Sequence, residues 1–236
     1  MSAKFKMKNS KFQNRITLLF AFFIFHFALA PAAHADWAFV AHRGSANAKT
    51  GATSISVSPS AEIPAGAIVL VRCASFPVNA EGDTNFHSVA DSKSHTWTKL
   101  REHSRFPSSG NGTTNSLWMA KLTSALTTSD TVTLSLSSSP TSNAKAIGLE
   151  EFSVASGKTF ASAGANAANG SSSTPSVTLS GLSSAARLWL GQVTRQRPNG
   201  DTYTQDSDYS DTTKFGTTGG SATSNQSSVA ATASPR

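Results

Sequence analysis

The chain has 236 residues, of which 14% are charged and 8% aromatic, and 37 Ser and 25 Thr fall among the 201 residues from Asp36 onward. Ser and Thr favour strands, turns and caps, and helix-length stretches rich in Ala, Leu, Glu and Lys are missing, which argues against a helical bundle and against an α/β enzyme with amphipathic crossovers. The net charge of +7 excludes little by itself. Five cations (Lys4, Lys6, Lys8, Lys11, Arg15) precede the first apolar run, and from Asp36 on 15 basic residues face 13 acidic ones, which is no footprint for a nucleic-acid backbone.

Residues 1–35 read as a secretory signal peptide, forming an N-terminal signal helix. A basic start is followed by the apolar run Ile16–Ala30, then Pro31, and Ala33-His34-Ala35 supplies a small-x-small cleavage pattern with Asp36-Trp37 as the mature start. The run is short of the roughly 20 residues that span a bilayer. The membrane is therefore met only through the transient signal peptide, and the expected location is secreted, periplasmic or cell surface, with a virion as the alternative. Cys73 is the only cysteine, so no intramolecular disulfide forms. Its alternation with Ala67, Val69 and Val71 places it in a core strand as a small hydrophobe.

The strand signals are short alternating segments between Gly, Pro, Asn and Ser clusters. In chain order they are Trp37–Val40, Thr53–Ser58, Ala67–Cys73, Phe86–Ala90, Thr96–Leu100, Ser116–Leu122, Thr131–Leu136, Ala146–Phe152, Ser176–Leu179 and Arg187–Thr194, with weaker ones at Thr202–Gln205 and Ser227–Ala231. Ala161–Thr174 and Gly216–Ser228 read as loops. One domain is expected over 36–236: an all-β fold, a single antiparallel β-sandwich of jelly-roll type.

Several residue groups invite chemistry. His87, His95 and His103 recur every eight residues and would form a zinc shell if the strands brought them together. Asp201, Asp206, Asp208 and Asp211 crowd one loop with Tyr203 and Tyr209, a mix that suits Ca²⁺ or a sugar. The ligand-binding candidates are therefore Tyr203, Asp206, Asp208 and Tyr209, and the metal candidates Asp206, Asp208 and Asp211; no cofactor is expected beyond a structural Ca²⁺ at this loop. Glu150 and Glu151 are adjacent and, in a strand, point to opposite faces, so they cannot flank one glycosidic bond. No nucleophile elbow, phosphate loop or zinc-protease motif is present. Trp37, Trp97, Trp118 and Trp189 sit in alternating segments and are expected in the core rather than on a sugar-binding face.

Trp37-Ala-Phe-Val40, Ile63-Pro-Ala-Gly66, Asp91-Ser-Lys-Ser-His-Thr-Trp97, Ser116-Leu-Trp118, Glu151-Phe152, Leu188-Trp-Leu-Gly191, Thr202-Tyr-Thr-Gln-Asp-Ser-Asp-Tyr209 and Gly216-Thr-Thr-Gly-Gly220 occur in this order. The chain thereby resembles β-sandwich structural or tail-associated proteins of tailed bacteriophages, prophages and environmental bacteria, over most of 37–230. The resemblance implies Gly-Asn where Ser94-His95 stands, and a further aromatic strand after the Gly-Gly segment, so the last strand is expected to be truncated. The export signal favours a bacterial surface or secreted relative over a virion protein. The expected function is a non-catalytic structural or adhesive module whose partners are other surface or virion proteins or glycans, without nucleic acid and compatible with a homo-oligomer. A carbohydrate-binding module is the alternative, and a glycan hydrolase the third reading.

Overall fold

The computed structural model describes residues 37–49, 51–76, 78–106, 112–137 and 144–155, a few positions between 162 and 180, and the backbone of 189–196, 211–216 and 223–230 with the side chains of Leu190 and Gln192. The expected signal peptide, residues 1–35, lies outside the described residues, as does Thr202–Gln205. Eleven strands are present among the described residues: β1 (Trp37–Ala48), β2 (Ser54–Val57), β3 (Ile68–Phe76), β4 (His87–Asp91), β5 (Thr98–Arg105), β6 (Thr113–Lys121), β7 (Val132–Leu136), β8 (Ala144–Val154), β9 (Trp189–Gln196), β10 (Asp211–Gly216) and β11 (Thr223–Ala230). No helix occurs among those residues.

The strands form a five-stranded sheet in the order β1-β8-β3-β6-β5, a three-stranded sheet β2-β7-β4, and a further sheet β10-β11-β9. All pairings are antiparallel. The first two sheets pack face to face. Val69, Val71 and Cys73 of β3, Trp118 and Ala120 of β6, and Ile147 and Leu149 of β8 meet Val57 of β2, Val89 of β4, and Val132 and Leu134 of β7 in one buried cluster. Alternation with period two aims these side chains inward from each sheet.

The apolar run Ile68-Val-Leu-Val71 does not alternate because β3 is covered on both faces. On the reverse face Ile68 and Leu70 pack with Phe152, Phe39, Met119, Leu100 and Leu190 of β9, and the Phe39 and Phe152 rings meet edge to face at 5.5 Å. Gly66, at φ +86°, closes the turn into β3 and donates its N–H to Leu122 at 2.8 Å.

Register irregularities aim the polar side chains. β1 is bulged between Phe39 and Ala41 and again between His42 and Gly44, and β5 between Lys99 and Arg101. In a regular strand Lys99 and Glu102, three apart, face opposite ways. The irregularity at Leu100 sets Lys99 opposite Trp118 and Glu102 opposite Ser116, which share one face of β6.

The structure departs from the alternation-based strands mainly in length. β1 continues to Ala48 and β5 to Arg105 through polar residues, because ladder hydrogen bonds need only backbone. The expected loop 216–228 is corrected: β11 starts at Thr223, and its polar Thr-Ser-Asn-Gln-Ser-Ser run is held by neighbours on both sides, β10 and β9. β10 itself carries no alternating apolar signal.

Candidate functional site

The loop residues Tyr203, Asp206, Asp208 and Tyr209 lie outside the described residues. Asp211 opens β10, where it pairs with Val229, and its side chain is also outside them. The three histidines have separate partners: His87 meets Ser75 and Ser116, His95 meets Asp91 and Ser124, and His103 meets Asp83. Among the described residues no group of three metal-type side chains converges. The zinc-shell expectation is thereby corrected, since the β4–β5 turn and the strand faces send the imidazoles to different places.

Two polar seams run through the sandwich. The first lies between β4, β5 and β6. His87 is fully enclosed, with Nε2 2.8 Å from Ser75 Oγ and Nδ1 2.8 Å from Ser116 Oγ. A neutral imidazole has one donor and one acceptor, and hydroxyls can complement both. Burial pushes its pKa down to about 4, against the opposing field of Glu102 and with a smaller contribution from Lys99. Cys73 lies in the same interior, and burial raises its thiol far above the usual range, so it is inert.

Glu102 is the hub of this seam. Its side chain is 1% exposed and accepts from Thr84 Oγ1 at 2.9 Å, from the His87 N–H at 3.2 Å, from the Phe86 N–H, and from Lys99 Nζ at 3.0 Å. Lys99 Nζ also donates to Asn85 Oδ1 and stands 5.2 Å from the ring centroid of Trp118. Ser137 Oγ donates to the Asn85 carbonyl at 3.1 Å, so the backbone around Asn85 is held from both sides.

The second arrangement closes the β4–β5 turn. The Asp91 carboxylate accepts from the Lys93 N–H at 2.7 Å, the His95 N–H at 3.2 Å, His95 Nδ1 at 3.0 Å and Trp97 Nε1 at 2.6 Å. Ser94 sits at φ +61°, a left-handed conformation that glycine adopts most readily. His95 then reaches the β6–β7 connection, with Nε2 3.3 Å from both the N–H and the Oγ of Ser124 and 3.1 Å from its carbonyl oxygen. Nearby, Asp130 accepts from Thr127 and Ser92, and the Thr127 N–H above all holds its carboxyl down at about 2. Carboxylate, imidazole and hydroxyl thus stand in the order of a nucleophilic triad, with Ser124 exposed.

A charged layer occupies the reverse face of the five-stranded sheet. Arg72 Nε donates to Glu150 at 2.7 Å, a second guanidinium nitrogen contacts the same carboxylate, and His42 Nδ1 lies 3.1 Å from it. Glu151 takes the opposite face, as strand geometry requires, and meets Arg43 Nε at 2.5 Å. The bulges in β1 deliver His42 and Arg43 to these two carboxylates. The β5 edge carries Arg101 and His103 on Asp83 and Arg105 on Glu81, a charged border that discourages further strand pairing.

Of the tryptophans, Trp118 is buried and donates to Ser116, Trp97 and Trp37 are half-buried against the two clusters, and the Trp189 side chain lies outside the described residues. Lys99, Asn85 and Ser124 carry no sequence signal, because Asn85 and His95 stand 14 and 29 residues from their partners, and Glu102 shares a face with Lys99 only through a bulge in β5. Comparison of the chain with protein-family models, curated proteins and solved structures finds no match.

Proposed function

We propose that the chain is an exported, non-catalytic β-sandwich of jelly-roll type, a structural or adhesive module that contacts other proteins or cell-surface glycans in the manner of tail-associated proteins. The pairing β1·β8, β2·β7 and β3·β6 supports the jelly-roll reading. Rolling one long antiparallel ribbon produces those pairs, with β4 and β5 at its closed end. The observation that carries the module reading is that the charged and imidazole groups enclosed by the sheets are engaged with one another or with nearby hydroxyls and backbone. Glu102, His87, Asp91, Arg72 and Glu150 are all bound within the sandwich, which leaves contact to the loops.

The test replaces Tyr203, Asp206, Asp208 and Tyr209 together by Ala or Ser and compares binding on a glycan array and to cell surfaces. Loss of binding with unchanged melting supports the reading and makes this loop the contact surface. A folded variant that binds as the parent does reduces the loop to a connector. Selective retention of one soluble glycan would favour the carbohydrate-binding module instead.

A hydrolase reading is favoured by one observation, the Asp91–His95–Ser124 order. The same His95 nitrogen also meets the backbone of Ser124, an arrangement that serves to tie the β6–β7 connection to the turn. Covalent labelling of Ser124 by a fluorophosphonate probe, abolished in His95→Ala, would establish the enzyme; an unlabelled parent leaves a structural clasp.

A further inference from the structure

We infer that Lys99 and Asn85 are the partners of an intramolecular isopeptide bond formed under the carboxylate of Glu102. An amine, a carboxamide and a buried carboxylate converge at one point. Lys99 Nζ is in hydrogen-bond contact with Asn85 Oδ1, and the amide carbon Cγ lies one C=O bond, about 1.2 Å, beyond that oxygen. Glu102 stands 3.0 Å from the same Nζ. The indole of Trp118, 5.2 Å from Nζ, walls the site, and the Lys99 side chain is 23% exposed.

The fold spends structure on this meeting. Lys99 and Glu102 share a face only because β5 is bulged at Leu100. Asn85 precedes β4, with its carbonyl held by Ser137 Oγ and the next N–H held by Glu102. Nucleophile and carboxamide are therefore held in contact before reaction, and such proximity is a large source of the rate of intramolecular reactions.

The step balances without an oxidant or cofactor. The Lys99 ammonium passes a proton to Glu102 along their 3.0 Å contact, and the freed lone pair attacks Asn85 Cγ. The Nζ–Cγ bond forms. On collapse the Cγ–Nδ2 bond breaks with its electron pair going to Nδ2, which takes one proton from Nζ and one from Glu102 and leaves as ammonium. Glu102 returns to a carboxylate, and an amide joins β5 to the segment ahead of β4. With a single cysteine in the chain, this is a covalent brace of a kind a disulfide cannot supply here. It does not depend on what the module binds.

The test is peptide mapping of the purified full chain. Trypsin cuts after Arg72, Lys93 and Arg101, so the bond yields a branched peptide that joins Cys73–Lys93 to Ser94–Arg101, uncut at Lys99 and lighter than the two parts by one ammonia. Lys99→Arg and Asn85→Ala should each give linear peptides at full mass. Glu102→Gln, which keeps one acceptor oxygen for the Phe86 N–H and Thr84 Oγ1, should retain the ammonia although both partners are present. Linear peptides throughout in the folded parent would overturn the inference and leave an ordinary hydrogen-bonded lysine. So would a branched peptide that survives in Lys99→Arg. Should Glu102→Gln fail to fold, the Lys99→Arg and Asn85→Ala maps still decide.

Discussion

Arg72 of β3 reaches diagonally to Glu150 of β8, which stands opposite Leu70, and with 1% and 0% of their side chains exposed the two form an ion pair sealed beneath the reverse face of the five-stranded sheet. Such a pair does little for net stability compared with well-packed apolar residues, yet breaking it is costly, because one charge stays buried without its counter-ion. Arg72→Met should therefore destabilise by about 3–5 kcal/mol in urea titration. The double variant Arg72→Met with Glu150→Leu should recover most of that loss. A double variant no better than the single one would show that Arg72 acts through other contacts.

His87 predicts a pH dependence with a definite sign. Its folded pKa of about 4 lies below the ordinary 6.5, so between these values the unfolded chain binds a proton that the folded one refuses. Stability should be full above pH 6.5 and fall as the pH drops toward 4, by about 3 kcal/mol for this group. The check is the stability difference between parent and His87→Gln across this window. That difference should carry the slope, and a flat difference would place His87 outside the titrating set.

Ser94 holds a left-handed conformation that costs a non-glycine residue about 1–2 kcal/mol, while glycine returns about 0.5–1 of that through its freer unfolded state. Ser94→Gly should thus raise stability by up to about 1 kcal/mol and lift the melting temperature. A lowered melting temperature would mean that the Ser94 side chain contributes to the Asp91 clasp.

The export reading makes its own prediction. Material recovered from outside the cytoplasm should begin at Asp36 on N-terminal sequencing, because Ala33-His34-Ala35 suits signal peptidase. Met1 on the exported product would remove the signal peptide from the account.

Much of the sandwich was legible in local pattern. Strict alternation at Val132, Leu134 and Leu136 located β7, and the apolar run around Val69 and Val71 located β3 and buried Cys73. Burial of Trp118 followed from the same period-two argument. β10 and the first half of β11 escaped because their residues carry no alternating pattern, and their hydrogen bonds are made by backbone in any sequence; only the weak Ser227–Ala231 segment pointed to β11. The separate fates of His87, His95 and His103 were equally hidden, since even spacing fixes a common strand face only while the chain stays in one regular strand.

What the sequence determined alone is therefore the all-β class and the inward faces of the principal strands, because hydrophobic alternation is a local property read two residues at a time. Tertiary structure decided the chemistry. Lys99 meets Asn85 and Glu102 because of one bulge and one cross-strand register, and His95 meets Ser124 because two connections at one end of the sandwich are stitched together. Register depends on the summed packing and hydrogen bonding of whole sheets, and a bulge shifts every side chain after it to the other face. No window of sequence around Lys99 or Ser124 contains that information.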